Sequence, residues 1–272
     1  MRHFYLTALV GCGLSVAAQA ADMPIKAPVA VPSYTWTGWY VGGNVGYAWG
    51  SSDVSTTAPG LSSDFALAEQ LSAVNTNGVG TVHPKGFTGG IQFGYNWQSG
   101  NVVIGGEADF NAFTLKGARD VSYPFSPTVF PGTTGIIHQD VKTDWLITAR
   151  PRIGFTSNNV LYYGTAGVAI TELHYNNSYL DTFQQVINGT PNETESGNVS
   201  KTKFGWTAGG GVEAGLGGKW TAKVEYLYVN FGTISSQGAI LPIAGLRPGI
   251  LNNSANLNAS IVRVGFNYKL GQ

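Results

Sequence analysis

The chain has few cysteines, few charged residues and few long apolar runs, and each of these shortages excludes a class of protein. Its only cysteine is Cys12, which excludes a disulfide framework. Charged residues make up 11% of the 272 residues, against about 25% in an average protein, and 15 basic side chains balance 15 acidic ones. Charge therefore gives no indication of a nucleic-acid partner. Beyond the N-terminus no apolar run reaches about 20 residues, which excludes a membrane protein built from helices.

What the chain has instead is glycine and aromatic side chains. The 38 glycines are roughly twice the usual share, and 12% of the residues are aromatic. Apolar residues reach 43%, so the composition is not that of a disordered chain, which would be charged and poor in aromatic residues. The length allows one large all-β domain or two ordinary domains.

The N-terminus has the features of an export signal. Arg2 supplies a positive charge, residues 4–18 are apolar, and Ala18-Gln19-Ala20 forms a small-residue cleavage site. We expect residues 1–20 to be a cleaved signal peptide. Two alternatives are an uncleaved membrane anchor and a lipoprotein signal in which Cys12 would be acylated.

The rest of the chain divides into a lead and one domain. Residues 21–35 carry three prolines and little periodicity, which is typical of an exposed periplasmic lead. We expect residues 36–272 to form a single transmembrane β-barrel, because apolar and polar residues alternate in eight segments of about ten residues, the pattern of half-buried strands. The eight segments are 39–49, 87–98, 104–111, 144–155, 160–170, 206–216, 220–228 and 262–270.

The connections between these segments alternate between long and short. The long ones are rich in Ser, Thr, Asn, Gly and Pro, and they are residues 51–85, 114–140, 174–201 and 232–257. The short ones are tight turns at residues 99–101, 157–159 and 217–219. Long loops at one end and short turns at the other are typical of outer-membrane barrels. The predicted fold is therefore all-β: an eight-stranded antiparallel transmembrane β-barrel with long extracellular loops and short periplasmic turns.

The apolar face of the predicted strands carries large aromatic residues near the strand ends. These residues are Trp39, Trp49, Phe87, Trp97, Trp145, Phe155, Trp206 and Trp220. Aromatic residues at both ends of the strands match the girdles that lie at the two membrane interfaces. The other face carries Gly, Ala, Thr, Asn and a few charges, which suits the crowded interior of a small barrel. The alternative is a secreted soluble barrel whose apolar face forms the core.

Several stretches of the predicted strands form recognisable motifs. They are Asn44-Val45-Gly46-Tyr47, Arg150-Pro151-Arg152-Ile153-Gly154-Phe155, Gly205-Trp206-Thr207-Ala208-Gly209-Gly210-Gly211-Val212-Glu213, Lys223-Val224-Glu225-Tyr226-Leu227-Tyr228 and Val262-Arg263-Val264-Gly265-Phe266-Asn267-Tyr268. Together they resemble the alphaproteobacterial outer membrane immunogenic proteins, a porin-like branch of the OmpA-type eight-stranded barrels. The resemblance covers all eight predicted strands but not the loops. It implies an outer-membrane location, surface exposure and a largely structural role, without catalytic residues. The family usually ends on an aromatic residue that the barrel-assembly machinery reads, whereas this chain ends Tyr268-Lys269-Leu270-Gly271-Gln272.

Charged residues on the inward face form the strongest candidate site. They are Glu107, Asp109, Arg150, Arg152, Glu213, Lys223, Glu225 and Arg263. Counting from the periplasmic strand ends, we expect Glu107 level with Arg152 and Asp109 level with Arg150. Buried charges persist only when they are paired, so we expect a structural salt-bridge plug in the lumen. The alternative is a narrow ion pathway gated by rearranging pairs.

The predicted loops hold the remaining candidates. His83, His138 and His174 are expected near the extracellular mouth, but their spacing matches no metal motif, so no metal or catalytic site is predicted. A short helix is expected over residues 64–71, with Phe65 and Leu71 as apolar anchors.

The resulting expectation is a non-enzymatic outer-membrane barrel that supports envelope integrity, presents surface loops and holds no cofactor. Its expected partners are outer-membrane lipids and lipopolysaccharide, the barrel-assembly machinery and extracellular ligands bound through the loops, with no nucleic acid among them. Two alternatives remain: a narrow channel for ions or small solutes, and an outer-membrane lipid hydrolase that uses a mouth histidine.

Overall fold

The computed structural model describes residues 34–62, 65–189, 191–240 and 249–271. The predicted signal peptide, Cys12 and all of the lead except its last two residues lie outside this part of the chain. The described residues form ten strands: β1 Gly38–Thr57, β2 Val79–Val82, β3 Lys85–Ser99, β4 Val102–Phe113, β5 Lys116–Pro124, β6 Thr134–Ser157, β7 Val160–Asp181, β8 Glu193–Gly217, β9 Trp220–Ala239 and β10 Ile250–Leu270. Two helices, α1 Ala68–Asn77 and α2 Phe183–Asn188, lie between strands.

The strands form one antiparallel sheet that closes on itself. Each long strand pairs with its neighbours in the order β1, β3, β4, β6, β7, β8, β9, β10. The last strand returns to the first, with Trp39 opposite Leu270 and Thr57 opposite Asn252. The short strands β2 and β5 attach to β1 and β6 beyond this ring of eight. Closure leaves the long strands without free edges, which a lipid environment could not satisfy.

The all-β prediction is confirmed. Among the described residues the sheet has ten strands, which are the eight of the closed ring and the short β2 and β5 that the sequence did not predict. Each predicted segment is a strand, and most strands run well into the segments expected to be loops. The strand β7 continues to Asp181 and β8 begins at Glu193, so most of the predicted loop over 174–201 is paired backbone. Strand β5 forms within the predicted loop over 114–140.

Side chains change character along each long strand. In β9, the outward Val224 and Tyr226 are exposed while the inward Lys223 and Glu225 are buried. Above this level the inward positions become apolar and the outward positions become polar, as at the inward Phe231. In β10 the same change separates the apolar outward face of 262–270 from outward asparagines and serines at 252–260. Alternate side chains point inward and outward along the whole length of each strand, and only the residue types on the two faces change.

The interior of the ring is filled in layers. They are described from the end with the short turns to the end with the strand extensions. A small apolar cluster contains Trp36, Val103, Leu161 and Tyr163. The charged residues come next, and above them lies a larger apolar cluster that includes Ala48, Phe113, Leu146, Leu173, Leu227, Phe231, Leu257 and Ile261. A third cluster under the hairpin tips includes Phe65, Val74, Phe125, Ile137, Tyr179 and Leu251.

The helix expected at 64–71 begins later than predicted, at Ala68, and runs to Asn77. The side-chain oxygen of Gln70 accepts a hydrogen bond of 3.1 Å from the Leu67 backbone N–H, which fixes the start of the helix. Phe65 and Leu71 pack into the cluster under the hairpin tips, as the sequence predicted. In the described chain, neither α1 nor α2 has the length and apolar character to cross a bilayer as a helix.

Candidate functional site

The predicted charged residues meet inside the ring, between the two lower apolar layers. All eight side chains are buried, and four carboxylates face four cations. The carboxylates are Glu107 and Asp109 on β4, Glu213 on β8 and Glu225 on β9, and the cations are Arg150 and Arg152 on β6, Lys223 on β9 and Arg263 on β10. Because buried charges need partners, this balance is what allows the group to be enclosed.

Glu107 lies at the centre of the cluster. The Lys223 ammonium donates to both of its carboxylate oxygens at 2.7 Å, across the interior from β9 to β4. The Arg150 guanidinium donates to it at 2.8 Å, and the Tyr40 hydroxyl donates at 2.9 Å. A single carboxylate therefore connects β1, β4, β6 and β9.

A second centre forms around Arg263. Its guanidinium lies 2.6 Å from Glu225 and 3.0 Å from Asp109. Arg150 links the two centres, since its guanidinium also contacts Asp109 at 2.8 Å and Glu225 at 3.3 Å. Hydrogen bonds to charged partners are stronger than neutral ones, so this arrangement holds the strands together through the interior.

The predicted register between β4 and β6 was wrong, since Glu107 lies opposite Arg150 and Arg152 lies opposite Gly105. The two predicted pairs are nevertheless in contact, with Arg150 2.8 Å from Asp109 and Arg152 3.7 Å from Glu107. The shorter contact of Arg152 is with Glu213, to which it donates at 3.0 Å. The error was two residues, because Val102 at the start of β4 is level with Phe155 while β6 continues to Ser157. Stagger of this kind accompanies the tilt of strands in a closed barrel.

Two buried tyrosines belong to the cluster and were missed. Tyr40 donates to Glu107, the Tyr163 hydroxyl donates to Glu225 at 2.9 Å, and the Arg152 guanidinium lies over both rings at 4.8 and 5.1 Å. A Cβ on Gly94 would lie 2.3 Å from the Tyr40 oxygen, so the glycine provides room for that ring. The alternation along β1 could have predicted the position of Tyr40, since it lies four residues from the inward Asn44 and therefore on the same face of the strand.

The aromatic residues of the predicted girdle point outward. Seven of them are 45–72% exposed, and Trp145 is partly buried. Trp39, Trp97, Phe155 and Trp220 lie at the ends of strands near the short turns. Trp49, Phe87, Trp145 and Trp206 lie at the level where the outward face becomes polar. The two groups are thus separated by the apolar outward band.

His138 on β6 and His174 on β7 lie on the outer side of the strand extensions, and His83 is exposed between β2 and β3. His138 Nδ1 is 2.6 Å from Asp120, and His174 Nδ1 is 2.6 Å from the Ser200 hydroxyl. His174 Nε2 is also 3.3 Å from Asp144, a Ser–His–Asp contact that the sequence did not suggest. Across the ranges that the structure describes, no three His, Cys, Asp or Glu side chains are grouped to hold a metal ion.

Comparison with known proteins adds a family and relatives. A family model described as outer membrane protein beta-barrel domain matches residues 6–269. The 31 kDa outer-membrane immunogenic protein of Brucella melitensis is 32% identical over 97% of this chain and 98% of its own length. The 25 kDa outer-membrane immunogenic protein of Brucella abortus is 28% identical over 94% of this chain and 92% of its own length. Among solved structures, the outer membrane protein OprG from Pseudomonas aeruginosa is similar at 13% identity and a TM-score of 0.42, over 86% of this chain and 97% of OprG.

Proposed function

The chain belongs to the outer membrane protein β-barrel family, and on that premise we propose that its ring of eight strands spans the outer membrane and has a structural, non-catalytic role. The observation that carries this proposal is the filled interior. A balanced set of buried charges and two large apolar clusters occupy the space that a channel would need. The protein stabilises the envelope and presents its hairpin tips to the outside.

The outward face supports a position for the membrane. On β1, the apolar outward positions run from Trp39 to Trp49, which is within the roughly 9–11 residues that a tilted strand needs to cross a bilayer. Outward Ser51 and Asp53 follow directly, so the hydrocarbon band ends near Trp49. The change to polar outward residues recurs at this level on the other long strands, which supports one continuous boundary.

The connections support the orientation. The turns at 99–101, 157–159 and 217–219 are short and lie at the end where the described chain begins. The strand extensions, helices and hairpin tips lie at the opposite end. We therefore propose short turns in the periplasm and paired extensions outside the cell, as in other outer-membrane barrels.

The proposed partners follow from this position. Outer-membrane lipids and lipopolysaccharide contact the outward band, and extracellular ligands reach the hairpin tips. The barrel-assembly machinery inserts the chain into the outer membrane. Neither a cofactor nor nucleic acid has a role in this proposal.

Thiol labelling and conductance test the proposal. The only cysteine, Cys12, lies in the predicted signal peptide, so single cysteines placed at Ser122, Ser178 or Ser235 should react with an impermeant reagent on intact cells. Cysteines at the turn residues Ser99 or Ser157 should react only after the outer membrane is opened. The purified protein should show no steady conductance in a planar bilayer. The reverse labelling pattern would refute the orientation, and a large ohmic conductance would favour the channel alternative.

A second candidate function, lipid hydrolysis, is favoured by the contact of His174 with Ser200 and Asp144. Asp144 is 63% exposed, whereas the carboxylate of a Ser–His–Asp triad is typically buried, so a structural role remains the better supported proposal. Release of fatty acid from phospholipid or lipopolysaccharide, abolished in Ser200→Ala, would establish hydrolysis. Absence of release by the folded protein would remove this candidate.

A further inference from the structure

A cleft opens on the outward side of the ring where one strand stops and another starts. Strand β4 ends at Phe113 and β5 begins at Lys116, and the facing part of β6 has a register shift between Thr143 and Leu146. Irregular pairing of this kind re-aims side chains. The resulting cleft has a volume of about 620 Å³.

Three lysines occupy this cleft side by side. Lys85 on β3 lies directly opposite Lys116 on β5, and Lys116 lies opposite Lys142 on β6. Like charges at directly opposite positions destabilise a sheet unless something compensates for them. Within the described ranges, no carboxylate lies within 4.0 Å of any of the three ammonium groups. Asp144 also lines the cleft, and its carboxylate lies 3.3 Å from His174 Nε2. The three lysines outnumber this one acidic side chain, so the cleft favours an anion from outside the chain.

The side of the cleft next to the three lysines is lined by the aromatic residues Tyr47 and Phe87. Phe87 is two residues from Lys85 on the same outward face, and its ring packs edge-on against Tyr47 at 5.4 Å. Phe87 is 72% exposed, so its ring is available to a ligand. A cationic row beside an exposed aromatic surface suits a molecule with an anionic head and an apolar tail.

Hydrogen bonds hold the base of the cleft in place. The Thr114 N–H donates to the Phe87 carbonyl at 3.0 Å, and the Thr143 N–H donates to the Leu115 carbonyl at 2.9 Å. A Cβ on Gly86 would lie 2.0 Å from the Thr114 carbonyl oxygen, so only glycine permits this approach. The cleft is therefore formed before any ligand arrives, which lowers the entropy cost of binding.

We propose that this cleft binds one phosphorylated lipid of the outer leaflet. Its phosphate contacts Lys85, Lys116 and Lys142, and an acyl chain lies along Phe87 and Tyr47. The inference rests on the proposed membrane position, because Lys85 lies directly opposite Trp49, where the apolar band ends, and Lys116 and Lys142 continue the row at that boundary. Continuity of the aromatic wall with that band favours a lipid over a soluble anion.

A charge-matched pair of variants tests the site. The first variant carries Lys85→Gln, Lys116→Gln and Lys142→Gln. The control carries Lys201→Gln and Lys203→Gln on β8 and Lys219→Gln in the turn before β9. Both are folded in neutral detergent and checked by the heat-dependent shift of the barrel on a gel. Binding of diphosphorylated lipid A in the same detergent is then measured by native mass spectrometry. Each lysine near an anionic lipid contributes about a fivefold factor in Kd. We therefore expect Kd to rise at least about tenfold in the first variant and to change less than about threefold in the control.

Three results would overturn the proposal. Equal loss of binding in both variants would mean that only net charge matters. Equal affinity for lipid A stripped of its phosphates would exclude phosphate recognition. Equal affinity for inorganic pyrophosphate, with no gain from acyl chains, would mean that the cleft takes a soluble phosphate anion. Thiol labelling reports the membrane orientation independently, so failure of the topology and failure of the cleft remain distinguishable.

Discussion

The central prediction concerns Glu107, whose replacement by glutamine removes one of the four carboxylates of the charged cluster and leaves its four cations. The Lys223 ammonium then has lost its partner at 2.7 Å. At that distance Coulomb's law gives roughly 6 kcal/mol of attraction with an effective dielectric constant near 20. Desolvation offsets part of this, and removal of one partner from a buried pair typically costs about 3–5 kcal/mol. We expect Glu107→Gln to lower the free energy of unfolding by that amount.

Urea unfolding in phospholipid vesicles, followed by tryptophan fluorescence, measures this loss. The double variant Glu107→Gln with Lys223→Met restores the charge balance and should recover at least half of it. The control is Glu172→Gln, which removes a carboxylate that is 38% exposed on the outer side and should change stability by less than about 0.5 kcal/mol. A single variant within about 1 kcal/mol of wild type, or a double variant no better than the single, would refute the reasoning.

Three further outcomes follow from the same structure. Arg152→Leu should destabilise the barrel by about 3–5 kcal/mol, and adding Glu213→Gln should recover part of that loss in urea unfolding; no recovery would contradict the pairing. Gly94→Ala should impair refolding on a heat-shift gel because its Cβ meets a tyrosine, whereas Gly43→Ala, with only a carbonyl oxygen at 3.6 Å, should refold like wild type. Burial raises the pKa of Glu195 in the β8 extension, so its contribution falls as the pH rises through the raised value. Glu195→Gln should therefore gain stability over wild type at pH 7 but not near pH 4, and an equal effect at both would contradict the burial argument.

The membrane part of the fold could be predicted because its alternation is uniform. Outward Val262, Val264 and Phe266 alternate with inward Arg263 and Gly265, and every long strand contains a segment of this kind. Such a pattern sets the direction of each side chain without knowledge of the neighbours. The members of the charged cluster were predicted on the same basis.

The strand extensions could not be predicted from that pattern. In the extensions the outward positions are polar and the inward positions are apolar, which is the reverse of the membrane part. On β7, outward Val168 and Ile170 give way to Glu172, while the inward Leu173 and Tyr175 become apolar. Polar outward residues mixed with asparagine and serine are also typical of loops. Only the pairing of β7 with β8 distinguishes the two cases.

The contacts that the charged cluster makes across the interior, such as Lys223 with Glu107 and Arg152 with Glu213, could not be predicted for a different reason. Pairing depends on how far each strand is displaced along its neighbour, and that displacement belongs to the whole closed sheet. The bulge in β6 near Asp144 adds a further shift, which turns this side chain outward toward His174 instead of into the lumen.

The strand extensions also determine which parts of the protein antibodies can reach. On the proposed topology, about ten residues per strand, rising about 3.3 Å each at a tilt near 40°, lift the hairpin tips roughly 25 Å above the bilayer. That height carries the tips into or past the inner sugars of the surface glycolipid. Each hairpin tip is supported by paired strand extensions, such as Thr171–Asp181 of β7 against β8. The shape of the tip therefore depends on the neighbouring strands. An isolated hairpin of this length is marginally stable in water. Antibodies raised against the folded barrel should therefore recognise conformational epitopes that synthetic tip peptides fail to reproduce.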